Sequence, residues 1–223
     1  MNNRFNDYKI EIRAESDEAP ADISGVAAPF YDAEDERTTY QLWEGAEERI
    51  LPSAFDELSR DVYATFNHDD SKVLGRVSAG TLDLLVDEVG LRYKITGSRK
   101  SYYRDLLESI NRGDVAGSSF AFWPTEERWI EGDEESGEPD VRELVSVTLF
   151  ELGPVTNPAY QASTSGSRDY SYDDARVSFD AWQLQLTEKR DASRQQEFTA
   201  IVNQKDSLVE TLRRSGIVQR LTR

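Results

Sequence analysis

The sequence contains no cysteine and a single histidine, His68, among its 223 residues. The lack of cysteine excludes a catalytic thiol and a thiolate metal site, and it fits a reducing compartment. No apolar run approaches the roughly 18 residues of a membrane-spanning helix, and no stretch resembles a signal peptide, so we expect a cytosolic protein with no membrane partner. Histidine is the side-chain type best suited to proton transfer near neutral pH, so any such chemistry points to His68.

Basic residues are also few: the chain has 26 of them against 43 acidic residues, so its net charge is −17. Residues 1–185 carry 18 basic and 38 acidic residues, or −20, whereas residues 186–223 carry eight basic and five acidic residues, or +3. Nucleic acid repels so acidic a protein, so we expect no nucleic-acid partner. The shift in composition predicts a folded body over 1–162, a polar linker over 163–185 and an amphipathic helical tail over 186–223.

Apolar and polar residues alternate in many short stretches, which is typical of half-buried strands. These predicted strands cover residues 9–14, 23–30, 39–43, 62–66, 73–77, 81–86, 91–95, 115–123 and 141–151. Helical spacing instead predicts a short helix over 50–58 and a longer one over 102–111, with Gly113 just past its end. The pattern favours an α+β fold with a mainly antiparallel, barrel-like core, a few flanking helices and a C-terminal helical tail.

His68, which directly follows a predicted strand, could act as the base that activates a serine. A serine hydroxyl attacks only with the help of a base, and the base itself needs an orienting partner. Ser119 lies in a predicted strand after the small residues Ala116, Gly117 and Ser118, and small residues allow another chain to approach closely. The flanking phenylalanines on either side of Ala121 share one face of that strand, so Ser119 is expected on the other face.

Carboxylates are the candidates for the third partner. Glu151 ends a strongly apolar strand, and a buried carboxylate there would need a partner such as an imidazole N–H. Asp69 and Asp70 are weaker candidates because they are so close to His68 in sequence. His68, Asp69 and Asp70 could instead bind a metal ion, but their spacing is not that of a typical ligand set. We therefore favour Glu151 and expect no metal and no cofactor.

Several short segments, none specific alone, occur in an order and spacing that resemble a known family. They are ISGVAAPF at 23–30, ILPSAF at 50–55, Asn67-His68-Asp69, LGR at 74–76, GTL at 80–82, GL at 90–91, Gly113 with SFAF at 119–122, and VTNPAY at 155–160. Over about residues 23–168 the chain resembles the prohead maturation serine proteases of tailed bacteriophages, which are related to the herpesvirus assemblin proteases.

The resemblance implies a β-barrel-centred endopeptidase in which Ser119 is the nucleophile and His68 the general base, with Ser118 as the alternative nucleophile. Assemblins use a second histidine as third member, and since this chain has none, the role would fall to a carboxylate, for which we favour Glu151. Backbone amides near Ser119 and the side chain of Arg142 are both open as donors to the oxyanion.

The resemblance also implies substrates and a location. The protease would act in the host cytoplasm, inside the immature capsid or prohead, on the scaffold protein or the scaffold arm of the major capsid protein, and on itself. The linker would be accessible to self-cleavage, and the tail could bind scaffold, form a homo-oligomer with a second copy, or pack back on the body. Two rival functions are a catalytically inactive assembly or scaffolding protein of the same fold, and a metal-dependent hydrolase. The presence of both His68 and Ser119 argues against the inactive protein.

Overall fold

The computed structural model describes residues 10–13, 20–59, 61–133, 135–158 and 170–214. Contacts divide the chain into two units, 1–175 and 176–223. In chain order the described elements are β1 (Glu11–Arg13), β2 (Asp22–Pro29), β3 (Thr39–Trp43), β4 (Ala46–Ile50), β5 (Tyr63–Phe66), β6 (Asp69–Arg76), β7 (Leu82–Val86), β8 (Gly90–Ile95), α1 (Ser101–Arg112), β9 (Gly117–Ile130), β10 (Asp140–Val155) and α2 (Tyr170–Arg214).

The longest strand, β10, organises the larger of two sheets. That sheet runs β3-β4-β10-β5-β6, and β9 pairs with β10 in antiparallel orientation over residues 141–155. The first part of β10 pairs in parallel with β4 and its second part with β5, so both of these strands share one edge of β10. The smaller sheet has the order β1-β2-β8-β7 and is antiparallel throughout.

The predicted α+β class, the mainly antiparallel pairing and the C-terminal helix are confirmed, but the barrel-like core is wrong. Among the described residues the strands form two sheets, and neither closes into a barrel. Alternation in a sequence shows which face of a strand is apolar, whereas closure depends on which strands pair. Here β10 pairs in parallel with strands about 90 residues earlier in the chain, and no local pattern reports such a pairing.

The core of the body is built from β-strand side chains and one helix. Phe120 stacks on Phe122 with 4.9 Å between ring centroids, and Phe55 meets Phe120 edge-on at 5.9 Å. The prediction of a helix over 102–111 is confirmed by α1, which buries residues at helical spacing, namely Tyr103, Leu106 and Leu107. Gly113 ends this helix at φ 81°, a left-handed conformation that glycine adopts without steric cost.

The predicted helix over 50–58 is wrong, because only a 3₁₀ turn forms at Pro52–Phe55. Its flanking polar groups bond to β10 instead of continuing a helix. The Leu51 N–H donates to the Leu144 carbonyl, and the Ser53 hydroxyl donates to the Val145 carbonyl. These tertiary hydrogen bonds fix the turn against β10, and Phe55 is buried in the core.

The second helix, α2, extends over 45 residues and begins at Tyr170. Residues 170–185, which the sequence predicted as linker, are therefore helical, while 163–169 lie outside the described residues. The division into body, linker and tail stays a prediction. In α2 the side chains of Phe198, Ile201 and Leu208 are exposed. Within the described parts of the chain, no helix combines the length and the apolar character needed to cross a membrane.

Candidate active site

His68 lies in the tight turn between β5 and β6. Phe66 pairs with Asp69, so the loop consists of Asn67 and His68 alone, and both residues have φ of 55°. Positive φ at both central residues is the signature of a type I′ hairpin turn, where asparagine is favoured first and glycine second. Histidine in the second position holds a left-handed conformation that costs on the order of 1 kcal/mol. Backbone strain of this kind is frequent at functional sites.

Asn67 fastens this turn to the end of β10. Its backbone N–H donates to the Pro154 carbonyl at 3.0 Å. Its side chain accepts from the Thr156 N–H at 2.8 Å and donates to the Thr156 hydroxyl at 3.2 Å. The turn that carries His68 is therefore held against β10 independently of the pairing between β5 and β10. The sequence analysis gave Asn67 no role, although asparagine followed by one residue between two strands is a signal for this turn.

The carboxylate of Glu151 has a separate partner for each oxygen. Glu151 is only 3% exposed. Its Oε2 lies 2.5 Å from Nδ1 of His68, and its Oε1 accepts from the Thr65 hydroxyl at 2.6 Å. An ionised carboxylate only accepts, so this contact assigns the ring proton to Nδ1 and leaves Nε2 as the acceptor nitrogen. Thr65 is fully buried, and it escaped the sequence analysis because its partner is 86 residues away.

Ser119 shares a face of the sheet with Glu151. It pairs with Gly153 of β10, while Ala121 pairs with Glu151, and directly paired residues point to the same face. Ser119 is therefore the diagonal neighbour of Glu151, at a typical separation of roughly 7–8 Å. One imidazole with a hydrogen bond at each nitrogen fills a gap of that size. The structure brings His68 and Glu151 into contact and places Ser119 on the side of the sheet where they meet.

Ser118, the alternative nucleophile, belongs to the opposite face. It pairs with Pro154, and its hydroxyl lies 2.9 Å from the hydroxyl of Tyr93. Burial raises the pKa of Tyr93 well above its ordinary value, so this phenol stays protonated. Ser118 is thus hydrogen-bonded inside the body, on the side of the sheet away from Glu151.

Gly153 allows β5 to approach β10 closely enough to build the site. A Cβ at this position would lie 2.0 Å from the Thr65 carbonyl oxygen, so no other residue fits without moving the backbone. The same glycine lies opposite Ser119.

The two aspartates beside His68 bind other groups. Asp69 accepts from the Ser71 side chain and N–H and pairs with Lys72 at 3.3 Å, and these contacts lower its pKa. Asp70 accepts from the Tyr63 hydroxyl at 3.1 Å. Burial first, and Asp70 second, raise the pKa of that phenol. No three histidine, aspartate or glutamate side chains lie close enough together, within the described ranges, to hold a metal ion.

Arg142 lies far from this site, and the suggestion that it assists there is wrong. It precedes Glu151 by nine residues on β10, which corresponds to roughly 30 Å of extended strand. Its buried guanidinium donates to Glu48 at 2.9 Å and, through Nε, to Glu127 at 2.8 Å. These carboxylates compensate its charge inside the sheet. Backbone amides near Ser119 stay a prediction as oxyanion donors.

The chain was compared with known proteins at the levels of family, sequence and structure. The family model described as caudovirus prohead serine protease matches residues 8–176, which is well over half of the chain. Comparisons with curated proteins and with solved structures found no match. The matched range includes His68, Ser119 and Glu151, and it confirms the resemblance that the short segments indicated. The chain belongs to the caudovirus prohead serine protease family.

Proposed function

We propose that the protein is a serine endopeptidase of prohead maturation, with Ser119 as nucleophile, His68 as general base and Glu151 as the carboxylate that orients the base. Its family supports a role as a capsid maturation protease. The observation that carries the assignment of residues is the buried carboxylate of Glu151, 2.5 Å from Nδ1 of the only histidine and on the same face as Ser119.

Acylation begins when Nε2 of His68 takes the hydroxyl proton of Ser119. The serine oxygen attacks the carbonyl carbon of the scissile peptide bond, and a tetrahedral oxyanion forms. Glu151 stabilises the imidazolium through Nδ1. The imidazolium then gives its proton to the leaving nitrogen, the C–N bond breaks, and the N-terminal part of the substrate remains as an ester on Ser119.

Deacylation repeats these steps with water as the nucleophile. His68 takes a proton from the water, whose oxygen attacks the ester carbonyl, and then returns the proton to the oxygen of Ser119. The products are a free carboxyl group and the regenerated hydroxyl. Backbone N–H groups of Gly117–Ser119 would donate to the oxyanion in both tetrahedral states.

The surroundings of His68 suit a base that must hold one orientation. The turn is fastened to β10 by Asn67, and the hydrogen bond from Thr65 at 2.6 Å holds the carboxylate of Glu151 in place. Fixed geometry of this kind is what makes a positioned base effective. A decayed, purely structural protein would gain nothing from keeping a strained histidine against a buried carboxylate.

The substrates we propose are the scaffold protein or the scaffold arm of the major capsid protein, and the protease itself. Cleavage would take place inside the prohead, in the host cytoplasm. For self-cleavage, the proposed region is the predicted linker, 163–185. Its helical part, from Tyr170 onward, would have to unwind locally, because a protease needs its substrate extended.

Co-expression with the major capsid protein of the same phage tests the assignment, with intact mass spectrometry as the readout. We expect the wild-type chain to trim itself or the capsid protein, and Ser119→Ala to leave both at full length. Ser118→Ala is the matched control and should cleave as the wild type does. Cleavage by Ser119→Ala would remove Ser119 as nucleophile. A wild-type sample at full length would favour an inactive assembly protein.

A further inference from the structure

Two aromatic rings, one exposed and one half-buried, lie together near the face that carries Ser119. Trp123 is 45% exposed, although it lies in a strand whose neighbouring phenylalanines are buried. Its ring lies 6.0 Å from that of Phe150, with 32° between the ring planes. We call Trp123 and Phe150 the aromatic platform. An exposed tryptophan that packs on a partly exposed phenylalanine offers an apolar surface to a bound chain.

The strand register places this platform on the same side as the proposed nucleophile. Ser119, Ala121 and Trp123 alternate along β9 without a break in its own pleat, so all three share one face. The register shifts on β10 between Leu149 and Glu151, which leaves Phe150 as the extra residue of a β-bulge. Bulges re-aim side chains, and this one turns Phe150 towards Trp123, directly before Glu151 in the chain.

We propose that the aromatic platform is a substrate subsite that binds one large apolar side chain, four residues from the scissile bond. This inference rests on the function proposed above. Trp123 lies four residues from Ser119, or about 13 Å along the strand. A bound peptide is extended and has the same rise and alternation. A peptide running along β9 from Ser119 therefore presents its fourth side chain at the platform.

Between Ser119 and Trp123, the residue on the same face of β9 is the small Ala121. Ala121 is half-buried and extends no further than a methyl group, so it leaves a shallow passage from Ser119 to Trp123. Beyond the platform, β9 continues through Thr125 to the exposed Glu126, which adds negative charge there. The site should therefore accept aromatic and long aliphatic side chains and reject acidic ones.

The test uses two probes, since the natural cleavage sequence is unidentified. A fluorophosphonate forms a phosphorus–oxygen bond to an activated serine and releases fluoride, so it reports on Ser119 without occupying the platform. A library of peptides from digested bacterial proteins, analysed by mass spectrometry after cleavage, reports the preferred residue at each position on both sides of the cut. Both probes are applied to the wild-type chain, Ser119→Ala, Trp123→Ala, Trp123→Phe and Leu85→Ala. Leu85 is an exposed apolar residue of β7 outside the site and serves as the matched control.

We expect the wild type to prefer apolar over acidic residues roughly tenfold at one position four residues from the cut. Trp123→Ala should lose this preference, Trp123→Phe should retain most of it, and Leu85→Ala should match the wild type. A library cut without that preference, or a preference that survives Trp123→Ala, overturns the subsite alone. Loss of fluorophosphonate labelling in Trp123→Ala would also overturn it, since Trp123 would then support the reacting groups or the fold. Absence of Ser119-dependent labelling, or a library left uncut, overturns the proposed protease itself.

Discussion

Replacing Glu151 by glutamine tests the proposed hydrogen-bond chain with almost no change in shape. The Thr65 hydroxyl donates to Oε1, so the glutamine oxygen takes that position and the amide –NH₂ faces Nδ1 of His68. The amide can only donate there, so Nδ1 must become the acceptor and the ring proton moves to Nε2. A protonated Nε2 cannot take the proton of Ser119. Turning the amide round would make its –NH₂ donate to the Thr65 hydroxyl, whose own buried proton would then lose Oε1 as its acceptor, at a cost of about 1–3 kcal/mol.

The expected loss follows from this change of tautomer. In a serine protease with the Ser-His-Asp triad, the corresponding aspartate-to-asparagine change keeps the geometry and lowers kcat about 10⁴-fold. We expect Glu151→Gln to lower kcat/KM by roughly 10³–10⁴-fold, or about 4–5.5 kcal/mol of transition-state stabilisation. The free energy of unfolding should change by only about 1 kcal/mol, because both side chains can make two hydrogen bonds.

Two measurements check this prediction. The rate of fluorophosphonate labelling, together with cleavage of the capsid protein, gives the activity. Because the chain has a single histidine, one set of imidazole ¹⁵N resonances reports its tautomer without ambiguity. Glu143→Gln is the matched control, since Glu143 is a buried glutamate of the same strand that pairs with Arg128 instead. Its activity should stay within about twofold of the wild type.

Either of two results would refute the reasoning. Wild-type activity in Glu151→Gln would mean that the carboxylate does not orient the base. A ring proton that stays on Nδ1 in the variant, combined with a large loss of activity, would mean that the loss has another cause. An equal loss in Glu143→Gln would point to a general disturbance of β10.

Two further predictions concern stability. Asn67→Ala and Asn67→Gly both lose the side-chain hydrogen bonds to Thr156, but only alanine is strained at φ of 55°. Chemical denaturation should therefore show that the alanine variant is about 1 kcal/mol less stable than the glycine variant. Equal stabilities of the two variants would contradict a left-handed conformation at Asn67. At Asp22, burial alone would raise the pKa, but hydrogen bonds from the Gly97 N–H and from Lys94 outweigh it and hold the pKa below 3.8. The charged form is therefore stabilised by folding, and this contribution is present above about pH 4 and is lost as the pH falls below 3.8. Asp22→Asn should be less stable than the wild type at pH 7, with a gap that narrows towards pH 3, and a gap that widens on acidification would contradict the assignment.

Local chemistry made part of the site predictable. Phe120 and Phe122 are apolar at period two, which was enough to direct Ser119 to the other face of its strand. His68 could be proposed as the base without any sequence pattern, since the chain has no other histidine. Helix α1 was equally readable, because its buried residues repeat at helical spacing and Gly113 follows directly.

The remainder depended on contacts between distant parts of the chain. Thr65 looks like any strand threonine until β5 pairs with β10. The bulge at Phe150 likewise makes it impossible to tell from the sequence on which face of β10 Glu151 lies. Strict alternation would put Glu151 on the same face as the core residue Leu149, whereas the register shift puts the two on opposite faces. No property of the single strand reveals where such a shift occurs.

The bulge also makes β10 more sensitive to its length than to its composition. Directly before Phe150, the odd-numbered Val147 and Leu149 face the core, and after it the even-numbered Leu152 does so while Glu151 and Gly153 turn to the other face. Conservative substitutions in the strand keep this arrangement. Inserting or deleting one residue after the bulge would exchange the two faces, bury the carboxylate in the core and expose a leucine to the site. We expect variation in this strand to be tolerated by substitution and hardly ever by a change in length.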